Sequence, residues 1–470
     1  MDMLINGEKV SKNEKIQVIN PYNNEIVDEV SIANKNDINN AIESANRAKK
    51  SLDEMSALKV SNKLYDAYES LRKNKKELAK LITLEVGKPI KESLGEMDRS
   101  VETLKLAAEE AKRIYGESIP LDAGINGKGF FAFTKKMPLG VVAAITPFNY
   151  PVNLAIHKIA PAIASKNTTI LKPASQAPLA ALKMAEIIAN EFPNGVINSL
   201  TGSGSEVGNV LVDSSKVDKI SFTGSVAIGH LISARAKMKK ITLELGGNDP
   251  LIVLDGANIE EAVKGAVTGS FLNAGQVCMG VKRIIVHENV QDEFTNLFIE
   301  KSEKLKLGNP LDKSTDIGPL IDENAAICVE ESLNNAINDG AELLSGGKRK
   351  DTFFEPTIIG NINENMDLII NETFGPVAPI ITVRSTDEAI KIANNTNYAL
   401  QAGVYTENYR DALKCANEIE AGSVFINKQS TFRTDNMPFG GFKDSGVGKE
   451  GIKYAVEDMC RTKLIGLNLR

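Results

Sequence analysis

The spacing of apolar and polar residues divides the chain into a mainly helical first part and a longer part of alternating strands and helices. Residues 1–36 are predicted to form short strands and turns. From about residue 36 to residue 115, apolar residues recur at helical spacing with charged residues between them. This pattern is typical of amphipathic helices that cover a sheet, and it indicates no chemistry of its own.

Strands and helices alternate from residue 138 to 253, and a second alternating set extends from about 251 to 430. Each short β-branched run is followed by a turn and a helical pattern, which is typical of βαβ units on a parallel sheet. The stretch 117–137 combines turn signals with an apolar run, and we expect a hairpin there whose partner strand comes from the tail 462–470. The pattern therefore predicts an α/β protein of two large domains with a small projecting element.

The composition agrees with a soluble two-domain protein and gives no reason to expect nucleic acid as a partner. The chain has 470 residues, of which 42% are hydrophobic and 25% are charged, with a formal net charge of −6. These values are ordinary for a globular protein, and acidic and basic residues are interspersed along the chain. The most apolar stretch, residues 137–164, is broken by prolines and carries polar residues, so no membrane span is predicted.

The chain contains four cysteines and three histidines, and no two cysteines have C-x-x-C spacing. A zinc site is therefore not expected, and we predict that the protein holds no metal. Widely spaced cysteines in a long chain favour a reducing compartment, and the first ten residues lack the pattern of a signal peptide. We expect a cytoplasmic protein.

Two loops that follow predicted strands are candidates for binding a phosphorylated cofactor. In ISFTGSVAIG (220–229), a strand ends at Phe222 and the turn Thr223-Gly224-Ser225 opens a helix. The amide groups at such a helix start bind pyrophosphate well, although an ordinary βα turn has the same pattern. In ILKPASQAP (170–178), Lys172 ends a strand, where its amine either holds a ribose hydroxyl or a phosphate or extends along the surface.

Two further residues are candidates for covalent and acid–base chemistry. Cys278 lies in the Gly-bounded loop of LNAGQVCMG (272–280), whereas the other three cysteines lie in helical patterns or in the tail. A loop position suits a nucleophilic thiolate, and a nearby helix end or cofactor charge would lower the thiol pKa. Glu244 closes the strand of LELGGNDP (243–250), where a carboxylate is either a core group with a partner or a general base with a raised pKa.

Seven ordered motifs resemble the aldehyde dehydrogenase superfamily, and together they cover essentially the whole chain. The motifs are PFNYP (147–151), LKPAS (171–175), FTGS (222–225), ELGG (244–247), GQVC (275–278), ETFGP (372–376) and PFGGFKDSG (438–446). Seven motifs in matching order and at matching spacing are far more specific than any one of them.

The resemblance implies a Rossmann-like dinucleotide-binding domain, an α/β catalytic domain and a small β oligomerisation hairpin. Mapped onto this sequence, the first domain covers residues 1–116 and 138–245, and the catalytic domain covers 246–453. The oligomerisation element combines 117–137 with 454–470, and the protein is expected to form a dimer or a tetramer.

The same resemblance assigns a role to each catalytic candidate. Cys278 matches the family's nucleophile, which attacks an aldehyde to form a thiohemiacetal, and Asn149 matches the side chain of the oxyanion hole. Glu244 matches the base that activates water to hydrolyse the thioester, which forms after hydride transfer to NAD or NADP. The matching cofactor residues are Lys172, Ser175, Thr223, Gly224, Ser225, Gly229, Leu245, Gly246, Glu372 and Phe374.

Ser175 departs from the pattern of many NAD-preferring members, which carry a glutamate at this position. A carboxylate there would accept a hydrogen bond from the ribose 2′-hydroxyl and would repel a 2′-phosphate. Because serine removes this repulsion, NADP is expected to be accepted as well as NAD, and a preference for NADP is predicted.

Two stretches, 147–164 and 430–459, resemble the branch that contains archaeal lactaldehyde dehydrogenase and the non-phosphorylating glyceraldehyde-3-phosphate dehydrogenases. His157 and Arg433 occupy positions that face the substrate in that branch, although His157 could equally be a packed helix residue. Arg283, which heads the strand after the nucleophile loop, is a third candidate. Phosphate recognition calls for several convergent cations, so (S)-lactaldehyde is the preferred substrate and the triose phosphate is the alternative.

Other classes of protein remain as alternatives from the sequence. Another semialdehyde is an alternative substrate, whereas a CoA-acylating dehydrogenase or an acyl-phosphate reductase would dispense with the base that Glu244 matches. A catalytically silent relative of the same fold is the non-enzymatic alternative. Such a protein would be expected to have lost Cys278, Asn149 or Glu244, and all three are present.

Overall fold

The computed structural model describes residues 1–469, which form two large sheets, a three-stranded sheet and three short strand pairs, with helices around them. The strands are β1 (Met3–Ile5), β2 (Glu8–Val10), β3 (Lys15–Ile19), β4 (Ile26–Ser31), β5 (Ser118–Ile119), β6 (Phe130–Pro138), β7 (Val141–Ile145), β8 (Thr168–Lys172), β9 (Ile197–Ser199), β10 (Lys219–Thr223), β11 (Lys240–Glu244), β12 (Asp249–Val253), β13 (Val281–His287), β14 (Glu342–Ser345), β15 (Arg349–Lys350), β16 (Phe353–Phe354), β17 (Thr357–Gly360), β18 (Val377–Val383), β19 (Tyr398–Ala399), β20 (Gln401–Tyr405), β21 (Ser423–Ile426), β22 (Phe442–Lys443), β23 (Gly446–Val447) and β24 (Cys460–Asn468).

The α-helices alternate with these strands through most of the chain, which confirms the predicted α/β class. They are α1 (Lys35–Asp53), α2 (Ala57–Lys73), α3 (Lys75–Val86), α4 (Ile90–Glu110), α5 (Asn153–Ala164), α6 (Leu179–Ala189), α7 (Asn209–Asp213), α8 (Val226–Arg235), α9 (Ile259–Phe271), α10 (Gln291–Ser302), α11 (Glu323–Asn338), α12 (Asp367–Ile370), α13 (Thr386–Asn394), α14 (Tyr409–Glu418) and α15 (Ile452–Asp458). Within residues 1–469, no helix is both long enough and apolar enough to cross a membrane.

The first large sheet has the order β2-β1-β9-β8-β7-β10-β11-β23, and its central strands are parallel. The predicted helical region 36–115 forms α1 to α4. Apolar residues of α2, α3 and α4 pack with α5 and α6 into one core on this sheet. Burial of these apolar faces, more than helix propensity, stabilises the long helices.

The carboxyl ends of the parallel strands in this sheet carry several of the predicted site residues. β7 ends at Ile145, just before the PFNYP motif, and β8 ends at Lys172. β10 ends at Thr223 and β11 at Glu244. Parallel strands end at one edge of a sheet, and ligands of open α/β sheets bind outside that edge.

The second large sheet has the order β14-β17-β18-β13-β12-β20-β21, with only the β14–β17 pair antiparallel. Its core is formed by buried residues of β12, β13 and β18 together with α9, α10 and α11. The nucleophile loop connects α9 to β13, so Cys278 lies just before a central strand of this sheet.

The chain returns from the second sheet to the first before it reaches the last strand. β23 pairs with β11, which places Gly446 opposite Glu244, and α15 adds Ile452 and Val456 to the core of the first sheet. Residues 446–458 therefore lie against the first sheet, although the predicted catalytic domain extended to residue 453. A two-residue strand gives no local pattern from which this return could be predicted.

The third sheet has the order β24-β6-β5 and matches the predicted hairpin with its partner from the tail. β24 and β6 are antiparallel in unbroken register, from Cys460 opposite Pro138 to Asn468 opposite Phe130. Several large apolar side chains of this sheet are exposed, including Phe131 and Leu467. The domain assignments built around this element stay predictions.

Candidate active site

A cavity of about 250 Å³ lies where the carboxyl edge of the first sheet meets the nucleophile loop. Nine of the predicted site residues line it: Asn149, Thr223, Gly224, Ser225, Leu245, Gly246, Cys278, Glu372 and Phe374. Segments that are more than 200 positions apart in sequence thus meet at one small cavity.

Cys278 lies in this cavity with its side chain partly buried. Burial, together with the nearby Glu372 carboxylate, raises the pKa of the Cys278 thiol to about 12. The thiol is therefore protonated near neutral pH in this structure. A role for Cys278 as a nucleophile would require loss of this proton, because the thiolate is the attacking species.

The segment before Cys278 has an uncommon backbone conformation. Asn273, Ala274 and Gly275 have φ values of 50°, 53° and 73°, which non-glycine residues rarely adopt. At Gly275, an added Cβ would lie 2.0 Å from the carbonyl oxygen of Gly375, so glycine is required there. Strained segments of this kind persist only where their surroundings hold them, and they cluster at functional sites.

Asn149 is buried and reaches the nucleophile segment directly. Its Nδ2 donates a hydrogen bond to Gln276 O at 2.9 Å, and its Oδ1 accepts one from Tyr150 N at 3.1 Å. The same amide nitrogen carries a second hydrogen, which a developing oxyanion can accept. The amide is therefore held in a fixed orientation beside the nucleophile.

Glu244 is buried at the end of β11, and neither carboxylate oxygen has a hydrogen-bond partner in the described structure. Burial raises its pKa well above the usual range, and the nearby Glu450 carboxylate raises it further. A carboxyl group with a raised pKa suits general base catalysis near neutral pH. Glu244 does not line the 250 Å³ cavity in this conformation.

Near Glu244 lies a buried polar network that consists of Lys158, Thr223, Arg433 and Glu450. Lys158 Nζ lies 2.8 Å from Glu450 Oε1 and 2.7 Å from Thr223 Oγ1. Arg433 Nη2 lies 3.1 Å from Glu450 Oε2. Although burial alone would raise the pKa of Glu450, Lys158 and the neighbouring cations hold it at about 2.

The structure brings His157 and Arg433 together in this network. His157 Nε2 lies 2.9 Å from Asp435 Oδ1 and 3.4 Å from Arg433 Nη2. Burial, and then the charge of Arg433, lowers the pKa of His157, which favours the neutral imidazole. Arg433 stacks on the ring of Phe439 at 3.7 Å, and with Asp435 it lines an open depression of about 490 Å³ that also includes Arg99.

Arg283 lines neither the 250 Å³ cavity nor the 490 Å³ depression, although it was predicted to be a substrate residue. Its guanidinium donates to the carbonyl oxygens of Asn248, Ile392 and Ala393 at 2.8, 2.8 and 2.9 Å. Alternate residues of a strand point to opposite faces, and Arg283 follows Lys282, which points toward the nucleophile loop. Arg283 therefore satisfies buried carbonyl groups of the second domain.

Lys282 is a residue of the site that the sequence reasoning did not identify. Its Nζ donates to Gly275 O at 2.5 Å and lies 5.3 Å from the ring centroid of Phe374. Burial lowers the pKa of Lys282 to about 8, partly offset by Glu372. A lysine inside the apolar run VKRIIVH was the available signal, because buried cations need partners.

A second cavity of about 610 Å³ adjoins the first and shares Phe148 and the Thr223-Gly224-Ser225 turn with it. Lys172 and Ser175 line this cavity, as predicted for cofactor residues, and Arg235 lines it too. No aspartate or glutamate of the described chain is among its lining residues. Burial lowers the pKa of Lys172 to about 8.

Two glycines allow close packing near the two cavities, one against Glu372 and one against Leu245. An added Cβ at Gly246 would lie 2.2 Å from Glu372 Oε2, and one at Gly229 would lie 2.5 Å from Leu245. Gly229 thus serves the packing of α8 and lines neither cavity. Burial raises the pKa of Glu372 to about 7, and one of its oxygens has no hydrogen-bond partner in the described structure.

Known proteins are similar to this chain in sequence and fold over nearly its whole length. Residues 9–465 match the aldehyde dehydrogenase family. The chain is 47% identical to a lactaldehyde dehydrogenase of Methanococcus maripaludis over 98% of this chain and 99% of the relative. It is 44% identical to a 3-sulfolactaldehyde dehydrogenase of Priestia aryabhattai, over 99% and 98% of the two chains.

A similar solved structure is the glyceraldehyde-3-phosphate dehydrogenase GapN of Methanocaldococcus jannaschii complexed with NADP. It superimposes with a TM-score of 0.94 at 43% identity, over 97% of this chain and all of that chain. A structure of aldehyde dehydrogenase 21 from Physcomitrella patens with succinate has a TM-score of 0.97 at 37% identity, over 100% and 98% of the chains. On these grounds, the chain belongs to the aldehyde dehydrogenase family.

Proposed function

We propose that this NAD(P)-dependent aldehyde dehydrogenase oxidises a small 2-hydroxyaldehyde, with (S)-lactaldehyde as the favoured substrate and lactate as the product. The observation that carries the proposal is the meeting of Cys278 and Asn149 at one cavity beside a larger cavity suited to a dinucleotide. The relatives named lactaldehyde dehydrogenase support this choice of aldehyde.

The first step is attack of the Cys278 sulfur on the aldehyde carbon. The thiol loses its proton to water, and the C–S bond forms as the carbonyl π electrons move to oxygen, giving a thiohemiacetal oxyanion. Asn149 Nδ2 and the backbone N–H of Cys278 donate to this oxygen. Removing one such donor in other enzymes costs on the order of 3 kcal/mol in transition-state stabilisation.

Glu244 serves as the base in the second half of the reaction. A bound dinucleotide would supply the hydride acceptor, and loss of hydride from the thiohemiacetal carbon leaves the acyl group on Cys278 as a thioester. Glu244 takes a proton from water as the water oxygen attacks the acyl carbon; the C–S bond then breaks, Cys278 leaves as the thiolate, and the carboxylic acid is released. Glu244 must move toward the cavity for this step, because it does not line the cavity in this conformation.

The two adjoining cavities fit a dinucleotide. The turn that opens α8 presents backbone N–H groups that would hold a pyrophosphate, and Glu372 and Phe374, which line the smaller cavity, would hold the nicotinamide riboside. At the other end, Arg235 is paired with Asp213, Lys172 has no carboxylate partner in the described structure, and Ser175 replaces a carboxylate. This charge balance supports NADP as the preferred cofactor. The relatives crystallised with NADP, from Methanocaldococcus jannaschii and Bacillus halodurans, agree with it.

The charges beside the network favour an uncharged aldehyde over a phosphorylated or sulfonated one. Arg433 is paired with Glu450, and Arg99 is paired with Asp435. Because each arginine faces a carboxylate, the open depression offers no clear excess of positive charge to a dianion. Glyceraldehyde 3-phosphate and other semialdehydes remain the alternatives, and the buried, unpartnered Arg433 Nε is the observation that favours an anionic substrate.

The test is a panel of aldehydes with purified protein and NADP⁺, in the absence of CoA and phosphate. NADPH formation is followed at saturating cofactor for lactaldehyde, glyceraldehyde 3-phosphate, 3-sulfolactaldehyde, glycolaldehyde and succinate semialdehyde. We expect the highest kcat/KM with lactaldehyde, and we expect Cys278→Ala to be inactive.

A preference of about tenfold or more for either anionic aldehyde would overturn the substrate assignment and leave the mechanism standing. No NADPH with any aldehyde would instead support the catalytically silent relative.

The protein is further proposed to assemble as a dimer or tetramer in the cytoplasm. The exposed apolar residues on the β24-β6-β5 sheet support assembly, because monomeric proteins rarely leave such a patch uncovered. The cytoplasmic location stays a prediction from cysteine spacing.

A further inference from the structure

Helix α4 carries three charged side chains on one face, and each of them bonds to a segment beside the site. Glu92, Glu96 and Arg99 are spaced i, i+4 and i+7, so they form one stripe along the helix. Glu92 accepts a hydrogen bond from Asn273 N at 2.9 Å, and Arg99 pairs with Asp435 at 2.6 Å. Charged residues at such inward positions are rare unless they have partners.

Glu96 and Lys88 form a buried ion pair that holds the start of α5. Lys88 Nζ lies 2.6 Å from Glu96 Oε2, and both side chains are fully buried. The other oxygen, Oε1, accepts the backbone N–H groups of residues 152–153 at 2.9 and 3.1 Å. Lys88 also lies 3.5 Å from the ring centroid of Tyr150. The pair therefore fixes the PFNYP segment just after Asn149.

Glu92 holds the nucleophile segment from the same helix. Its Oε2 accepts a hydrogen bond from the N–H of Asn273, which is the first of the three residues with positive φ. Directly after that strained run, the Gln276 carbonyl accepts a hydrogen bond from the Asn149 side chain. One helix therefore bonds to both segments that meet in the Asn149–Gln276 contact.

We propose that Glu92, Glu96 and Lys88 are positioning residues that set the distance between Asn149 and Cys278. They act through backbone groups of the two segments and touch neither substrate nor cofactor. The inference rests on the proposed function, in which Asn149 and Cys278 form the oxyanion hole. An error of about 1 Å in such a geometry costs on the order of a hundredfold in rate.

Three substitutions of Glu92 separate its hydrogen bond from its charge. Glu92→Gln keeps an oxygen acceptor at the same reach, Glu92→Asp keeps the charge but is shorter, and Glu92→Ala removes both. The matched control is Glu109→Ala on the same helix, whose only described ion pair is a 3.8 Å contact with Arg113. Each variant is tested for kcat, for KM of aldehyde and NADP⁺, and for Tm.

We expect Glu92→Ala and Glu92→Asp to lower kcat by about tenfold or more, with KM for NADP⁺ within about twofold of wild type. Glu92→Gln is expected to restore kcat to within about threefold, and Glu109→Ala to match wild type. Equal losses in the Gln and Asp variants, or an unchanged kcat in the Asp variant, would overturn the proposal. The Gln and Asp comparison decides the matter even if the Ala variant fails to fold.

The rate at which Cys278 is alkylated tests this inference without relying on the proposed function. Iodoacetamide modification, followed by the mass of the Cys278 peptide, requires no aldehyde turnover. We expect the rate to change by about threefold or more in Glu92→Asp and to stay near wild type in Glu92→Gln. If wild type proves inactive with every aldehyde, this difference still supports positioning, and its absence refutes positioning.

Discussion

At the scale of single residues, the sequence predicted a set of candidate site residues, most of which the structure brings together, but it did not identify every neighbour. Cys278 was proposed from its position in a loop between regular elements, and Asn149 was proposed from the family resemblance; the structure places both at one cavity. Arg283 was misplaced and Lys282 was missed, although they are neighbours. The spacing of residues along the sequence does not reveal which face of a strand points toward the site when both faces are buried.

Ser175 gives a residue-scale prediction about the choice of cofactor. Ser175→Glu adds a carboxylate to a cavity whose described lining contains none, so it repels a 2′-phosphate and accepts from a 2′-hydroxyl. We expect the ratio of kcat/KM for NADP⁺ over NAD⁺ to fall by about tenfold or more.

The control is Ser175→Gln, which has the same length without the charge. Equal changes in the Glu and Gln variants would show that size, and not charge, sets the preference.

At the scale of elements, helical periodicity predicted the region that became α1 to α4, since apolar residues repeat there every three to four positions. It did not predict that charged residues of α4 point inward. A pattern of apolar and polar residues treats a glutamate as exposed, and only the partner of Glu96, which is Lys88, makes its burial tolerable.

Glu85 gives an element-scale prediction about pH. Near the end of α3, its buried carboxylate accepts the N–H groups of Leu179 and Ala180 at the start of α6, at 2.6 and 2.9 Å. Burial raises the pKa of Glu85 from its usual value of 4.5 to about 8, although the two hydrogen bonds lower it. The folded state therefore binds a proton that the unfolded state releases between these pH values, and stability falls as pH rises through this window.

Glu85→Gln cannot titrate, so it isolates this effect. We expect the Tm of wild type minus that of Glu85→Gln to decrease steadily from about pH 5 to about pH 8. A difference that is constant with pH would show that the pKa of Glu85 is not raised.

At the scale of the whole molecule, alternation of strands and helices predicted the α/β class and the three-stranded element. The sequence could not predict the return of residues 446–458 to the first sheet, because long-range pairing of a two-residue strand leaves no local trace. The exposed pair Phe131 and Leu467 lies on neighbouring strands in direct register, in keeping with a surface that another copy covers.

Positive charges at Phe131 and Leu467 should block assembly. We expect Phe131→Lys combined with Leu467→Lys to shift the protein to a smaller species in light scattering after size exclusion, because burying two cations in an apolar contact is costly. Leu58→Lys, on the exposed surface of α2, is the control and should leave the mass unchanged. A wild-type mass equal to one chain would contradict assembly itself.

The pairing of β6 with β24 also has a consequence for how the protein is made. Pro138 and Cys460, opposite each other in this pair, are about 320 residues apart, which a ribosome translates in tens of seconds. During that time one edge of β6 has no partner from its own chain, and only the two residues of β5 pair with its other edge. Lys135 and Lys136 on that strand are the kind of side chains that discourage premature pairing between nascent chains.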